Sequence, residues 1–374
     1  MAWPASQDYN EAVQLPAVSF ADADLKAGQA AVNALGLPMP YSGNFADVYQ
    51  LTGADGRRWA VKCFTREVPG LRQRYEAISA HLRQARLPFV VDFTYLEKGI
   101  LVRGQWYPVL KMEWVEGLPL NQFVARYLDS PPTLASLSLA WVRAARCLRA
   151  ASVGHCDLQH GNVLLVPAAG TTALALKLVD YDGMWVPALA GRPSAESGHP
   201  AYQHPQRARD ATYGREVDRF PLLLVATALR ALQTGGRALW ERHNNGDNLL
   251  FTEADLQAPV KSPLFRELLT SPDGLTVTMA TRMIDALRGD VGSASLLADL
   301  GPEPERPRGV PGHEPTDPDP DPAPGDAGGV PAWLPALREA WAEEEDVLSL
   351  PPPPIAAWLE DVSRASSARP PAGG

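Results

Sequence analysis

The segment His155-Cys156-Asp157-Leu158-Gln159-His160-Gly161-Asn162 constrains this chain more than any other. It sets an Asp and an Asn five residues apart on a loop that follows an apolar helical run, LASLSLAWVRAARCLRAA. An Asp so placed can accept a proton from an attacking hydroxyl, and the Asn can hold a metal beside phosphates. The apolar run NVLLV leads on to Leu178-Val179-Asp180-Tyr181-Asp182-Gly183, where a carboxylate at the end of a strand suits a Mg²⁺ ligand. Upstream, Ala60-Val61-Lys62 sets a Lys on a strand, within reach of phosphate oxygens. Singly these are ordinary features, since a lone strand Lys is a solvated edge residue and an Asp–Asn pair is turn chemistry. Their order along one chain argues for phosphate transfer.

The surroundings supply two kinds of scaffold. From Leu35 to Gly117 the pattern is strand-rich: VYQLTGADGRRWAVKCF reads as two strands joined by an Asp-Gly turn, and FVVDFTYLEKGILV and WYPVLKMEWV as further strands. GLRQRYEAISAHLRQA between them has the period of an amphipathic helix. From Leu118 onward helices dominate, with FPLLLVATALRAL as a second core helix. Residues 1–30 read as an extension packed on the main domain. Residues 301–332, with PTDPDPDPAPGD at their centre, have too little apolar content to fold and read as a stiff, disordered linker. The tail 333–374 carries a short helical stretch and Trp333, Trp341 and Trp358, a candidate motif for docking a partner.

Composition removes other classes. The net charge of −9 gives no global attraction to nucleic acid or to an anionic membrane. Cys63, Cys147 and Cys156 form no CxxC pair and no zinc spacing, which suits a reducing compartment. No apolar run reaches spanning length, and MAWPASQDYNEAVQ lacks the regions of a signal peptide, so the expected location is the cytoplasm.

HCDLQHGN resembles the protein-kinase catalytic loop HRDxxxxN, LVDYDG resembles the DFG segment, and AVK resembles the strand bearing the ATP lysine. Met112-Glu113-Trp114-Val115-Glu116-Gly117 resembles the hinge between lobes, and Gly198 to Gln206, GHPAYQHPQ, resembles the GTxxYxAPE segment. Asp218 matches the Asp that ties a large-lobe helix to the catalytic loop. SGNFADVY, LQHGNVLL, VDYDGM and YQHP also look like a bacterial group of divergent serine/threonine kinase-like proteins. The resemblance implies an α+β, bilobal protein-kinase-like fold, with a small β-rich N-lobe over 31–117 and a larger helical C-lobe over 118–300. It implies ATP and Mg²⁺ as cofactors. By it, Asp157 is the base, Lys62 orients phosphates, and Asn162 and Asp180 hold metal. Gly43, Val48 and Ala60 line the nucleotide, the backbone of Glu113 and Val115 binds adenine, and Met112 lies behind it. Glu76 is the helix acid that holds Lys62, with Glu67, before the Pro69-Gly70 break, as the alternative.

The chain departs from the family pattern at several positions. The Gly-rich loop keeps only Gly43; Cys156 stands where the family has Arg, Gln159 where it has Lys, His199 where it has Thr, and Gln206 where it has Glu. Asp182 stands at the last DFG position, which leaves Asp180 and Asp182 both as metal candidates, with Asp180 in the family's register. Without an Arg at 156, a phosphate on the loop Met184 to Gly198 has lost its main cationic partner. The resulting expectation is a kinase that phosphorylates Ser or Thr of a protein substrate. A small-molecule kinase of the same fold and a catalytically silent binding module are the alternatives.

Overall fold

The computed structural model describes residues 3–294, apart from 44, 168–173, 195 and 211. The linker and tail expected from 301 onward therefore lie outside the described residues. The described part is a mixed α+β structure with a sheet region followed by a helical region.

Three short helices open the chain: α1 (Ser6–Val13), α2 (Pro16–Ser19) and α3 (Ala23–Lys26). The sheet follows, with β1 (Gln29–Ala30), β2 (Pro40–Ser42), β3 (Ala46–Thr52) and β4 (Arg58–Phe64), then α4 (Leu71–Ala85), β5 (Phe93–Val102) and β6 (Gln105–Glu113). The strand order is β1-β3-β4-β6-β5, with β2 also on β3, and every pairing is antiparallel. The turn between β3 and β4 contains Asp55-Gly56, and Gly56 takes φ 81°, a left-handed conformation that glycine adopts without strain.

Register decides which side chains meet. Residues directly opposite in an antiparallel pair share a face, and alternate residues along a strand point the same way. Val48 faces Lys62, Ala60 faces Met112 and Lys62 faces Leu110. These five therefore line one face of the sheet, while Tyr49, Val61, Cys63 and Lys111 line the other. The opening helices close that second face: Tyr9, Val13, Phe20 and Leu25 pack with Tyr49, Leu51, Val61, Cys63, Ile100 and Val109. The Tyr9 hydroxyl donates to the Phe64 carbonyl at 2.6 Å. Lys111 lies over the Trp59 ring and pairs with Asp22 at 2.7 Å and Asp24 at 2.6 Å, which ties α3 to β6.

The helical region begins with β7 (Leu118–Pro119), α5 (Leu120–Arg126) and α6 (Pro131–Ala150). The hairpin β8 (Val163–Pro167) and β9 (Leu174–Leu178) forms a second, three-stranded sheet with β7. Then come α7 (Arg207–Asp210), α8 (Arg219–His243, broken at Gly236), α9 (Glu253–Gln257), α10 (Pro263–Leu269) and α11 (Gly274–Arg288). α6 and α8 form the centre of this half, where the Trp141 indole N–H donates to the Leu222 carbonyl at 3.0 Å. Among the described residues no helix is long and apolar enough to cross a membrane.

If α1–α3 are an integral layer of the sheet, emptying their central aromatic must destabilise the whole. Phe20→Ala removes a fully buried ring and is expected to cost about 3–5 kcal/mol, read as a lower midpoint in urea unfolding. A change under about 0.5 kcal/mol, the scale of ordinary surface substitutions, would show that the layer is dispensable.

Candidate active site

Two loops and two strands converge where the regions meet. The β8–β9 hairpin sets Val163 opposite Leu178, and the ladder continues outward with the Val179 N–H donating to the Asn162 carbonyl at 3.0 Å. Asn162 precedes one strand and Asp180 follows the other, so both stand at the open end of one hairpin. Two contacts dock that end on the sheet region: Leu178 N–H donates to the Phe89 carbonyl at 2.8 Å, and the buried Tyr181 hydroxyl accepts from Val91 N–H at 2.8 Å. Asp180 adopts φ 64°, a left-handed conformation that costs a non-glycine residue energy and clusters at functional sites.

Lys62 reaches this end from β4. Its Nζ lies 2.7 Å from Asp180 Oδ1 and 2.7 Å from Asp182 Oδ2. Burial works against the ammonium, but the two carboxylates outweigh it and raise the Lys62 pKa, so the side chain stays charged. The carboxylates respond in opposite directions. Burial opposes ionisation of Asp180, yet Lys62 holds it below the usual range. Asp182 is raised, chiefly by burial, with Asp180 adding to it. The Asp180 side chain keeps 41% exposure against 15% for Asp182, so the first faces open space and the second is enclosed.

Asp157 is held from both sides. Its Oδ1 accepts from the His199 N–H at 2.8 Å and its Oδ2 from the Asn162 amide at 2.9 Å. Burial raises its pKa against the pull of the His199 N–H. The approach of His199 depends on Gly198, with φ 71°: a Cβ there would come within 2.9 Å of Asp157 Oδ1 and 2.8 Å of Arg207 Nη1. Beneath the loop, the buried Asp218 carboxylate accepts from the backbone N–H of His155 at 2.5 Å and of Cys156 at 2.8 Å. His155 bonds the Val179 carbonyl at 3.1 Å, which links the loop to the residue before Asp180.

The donors suit a hard cation. The Asn162 Nδ2 meets two oxygens, the Asp157 carbonyl and carboxylate. Its Oδ1 is thereby left as an acceptor. With the Asp180 carboxylate this is an oxygen set of the kind Mg²⁺ uses together with phosphate oxygens. Among the described residues no group of three or more His, Cys, Asp and Glu is arranged to hold a metal by itself. The expected nucleotide-lining residues fall on the Lys62 face: Val48, Ala60 and Met112 by register, and Gly43 at the β2–β3 turn, where its N–H donates to the Ala46 carbonyl at 2.9 Å. Glu113 ends β6 and Val115 lies in the connection to β7. Between them the Trp114 N–H is committed to the Arg58 carbonyl at 2.9 Å.

One expected contact is absent. Glu76 does not hold Lys62: it sits on the outer face of α4, its Oε1 2.8 Å from Arg72 Nε, with 57% of its side chain exposed. The buried face of α4 carries Leu71, Arg74, Tyr75, Ile78 and Leu82, so the helical period of about 100° per residue turns Glu76 away. The alternative acid, Glu67, lies before α4 on the wall of a neighbouring cavity of about 450 Å³. The helix contact to the site comes from Tyr75, whose hydroxyl donates to Asp182 Oδ1. Gln159 caps the turn that carries Asn162, its Oε1 accepting from the Gly161 N–H at 2.8 Å.

Two further ionisable side chains at the site carry no local sequence signal. Arg207 is fully buried, and its guanidinium donates to the Cys156 carbonyl and, at 2.5 Å, to Gln203 Oε1. A cation thus stands against residue 156 although none is encoded there. Glu196 packs over Gly183, where a Cβ would come within 2.6 Å of its Oε1. Burial first, then Asp180, Asp157 and Asp182, push its pKa from an ordinary 4.5 up to about 8.

No family model matches the chain, and no curated protein matches it. Among solved structures it is similar to the Cydia pomonella granulovirus kinase PK-1, at 16% sequence identity and a TM-score of 0.46, over 74% of this chain and 93% of that one.

The Glu196 environment has a signed consequence. A carboxyl whose folded pKa is raised binds its proton more tightly in the folded chain, so its contribution is complete below about 4.5 and is lost as pH rises through about 8. Glu196→Gln removes that loss. Its melting temperature relative to wild type should climb between pH 5 and pH 9, by about 2 °C or more at the upper end, in a thermal series in matched buffers. A difference that does not vary with pH would contradict the assignment.

Proposed function

We propose that this chain is an ATP- and Mg²⁺-dependent phosphotransferase whose acceptor is a Ser or Thr hydroxyl of a protein. The observation that carries the reading is the meeting of Lys62, Asp157, Asn162 and Asp180 at one end of the β8–β9 hairpin. Lys62 offers a buried, charged ammonium to phosphate oxygens. Val48, Ala60 and Met112 offer an apolar wall to a purine, with the backbone of Glu113 and Val115 at its polar edge. Mg²⁺, when bound, supplies neutralisation of charge on the phosphates. Asn162 Oδ1 and Asp180 are the groups that would hold it. Asp157, fixed by two donors and with raised proton affinity, orients the acceptor hydroxyl and takes its proton.

Two local observations bear on the acceptor. The segment after Gly198 closes on Asp157 through the His199 N–H, and Tyr202 bonds His160 at 2.9 Å. An ordered segment packed beside the base favours a peptide chain. Gln159 caps the turn at Gly161 and offers no cation to the acceptor, which favours the second reading, a small hydroxylated molecule.

Incubation with labelled ATP and Mg²⁺, with cell lysate or with a panel of amino-sugar and choline-like alcohols, separates the two. Label should enter the protein fraction, and Asp157→Asn should lower the rate about 100-fold or more with nucleotide affinity retained. Equal rates in wild type and Asp157→Asn would remove the catalytic role. Label confined to the small-molecule panel would replace the protein acceptor by the second reading.

A further inference from the structure

α4 contributes no acid to Lys62, yet it is fastened to the same loop by two successive residues. Tyr75, fully buried, donates its hydroxyl to Asp182 Oδ1. Arg74, also buried, donates to the Asp182 carbonyl at 3.5 Å, to the Pro193 carbonyl at 3.1 Å and to the Tyr213 hydroxyl at 2.8 Å. Asp182 then spends its second oxygen on Lys62, at 2.7 Å. The link from helix to lysine therefore runs through a residue of the metal loop. Asp182 is poorly placed to be a second metal ligand: its two oxygens already face Tyr75 and Lys62, and it is the enclosed member of the pair. Asp180, by contrast, has one oxygen on Lys62 and open space beside it.

We infer that Asp182 is the positioning residue that holds Lys62 toward the nucleotide phosphates, and that Tyr75 locks Asp182 to α4. The inference rests on the phosphotransfer reading for what Lys62 binds, while the linkage stands on geometry alone. An acid placed on the loop makes the lysine's position depend on the segment from Asp180 to Pro193, which Arg74 also grips. Movement of α4 would reach Lys62 through a neutral hydroxyl and a backbone contact.

The test compares wild type with Asp182→Asn, Tyr75→Phe and Glu76→Gln. ATP binding is measured by calorimetry with and without Mg²⁺, and amide hydrogen exchange across 71–85 is measured without nucleotide. Loss of a charge-assisted partner should weaken ATP binding about tenfold in Asp182→Asn, and loss of the hydroxyl about threefold in Tyr75→Phe. Both losses should appear whether or not Mg²⁺ is present. Both variants should exchange faster across α4, and Glu76→Gln, whose partner Arg72 lies on the outer face of the same helix, should match wild type in ATP binding. A defect in Asp182→Asn confined to the Mg²⁺ series would make Asp182 a metal ligand and overturn the inference. So would a Glu76→Gln defect equal to that of Asp182→Asn, or unchanged α4 exchange in both Asp182→Asn and Tyr75→Phe. If wild type binds no ATP, the phosphotransfer reading fails, and the exchange comparison still decides whether the linkage exists. Tyr75→Phe keeps the core ring and serves as the test if Asp182→Asn does not fold.

Discussion

Lys62 between Asp180 and Asp182 is the contact on which the rest depends. A buried ammonium is costly unless it is paired, and a pair of neighbouring carboxylates is costly unless a cation lies between them. Each side therefore needs the other, and they come from different regions: the lysine from β4, the acids from the loop after β9. The sheet's alternation points Lys62 toward the helical region, while α1–α3 cover the opposite face. The same alternation sets Val48, Ala60 and Met112 beside it. One register thus fixes both the charge and the apolar wall.

The second support is the backbone geometry around the loop from His155 to Asn162. Asp218 takes two consecutive N–H groups, His155 joins the loop to Val179, and Arg207 holds the Cys156 carbonyl. Cys156 has φ 64° and Asp180 the same value, so two strained residues flank the site and are held there by buried polar contacts. Asp157 is delivered between them and needs only the His199 N–H and the Asn162 amide to be oriented.

Much of this was legible in the sequence because the chemistry imposes residue types at short, fixed spacings. Asp157 with Asn162, Asp180 after an apolar strand, and Lys62 on a strand beside an Asp-Gly turn all lie where their local patterns set them. Glu76 has the chemistry of a lysine partner but the wrong helical phase. Leu71, Arg74, Tyr75, Ile78 and Leu82 already mark the inner face in the sequence, and Arg72 four residues before Glu76 marks the outer one. Arg207 and Glu196 could not be read that way, since their partners are distant in sequence and are set by the fold of the segment between Asp182 and Asp218. Arg207 brings a buried cation to the Cys156 carbonyl from elsewhere in the chain, with its guanidinium committed there, to Gln203 Oε1 and to the Glu196 carbonyl.

The most direct measurement is a crystal structure of the chain with Mg²⁺ and a non-hydrolysable ATP analogue. Phosphate oxygens are expected on Lys62, metal on Asn162 Oδ1 and Asp180, and the purine against Val48, Ala60 and Met112. Asp182 should still contact Lys62, and Glu76 should remain on Arg72. A nucleotide bound elsewhere, or phosphates that leave Lys62 enclosed by its two carboxylates and untouched, would contradict this assignment.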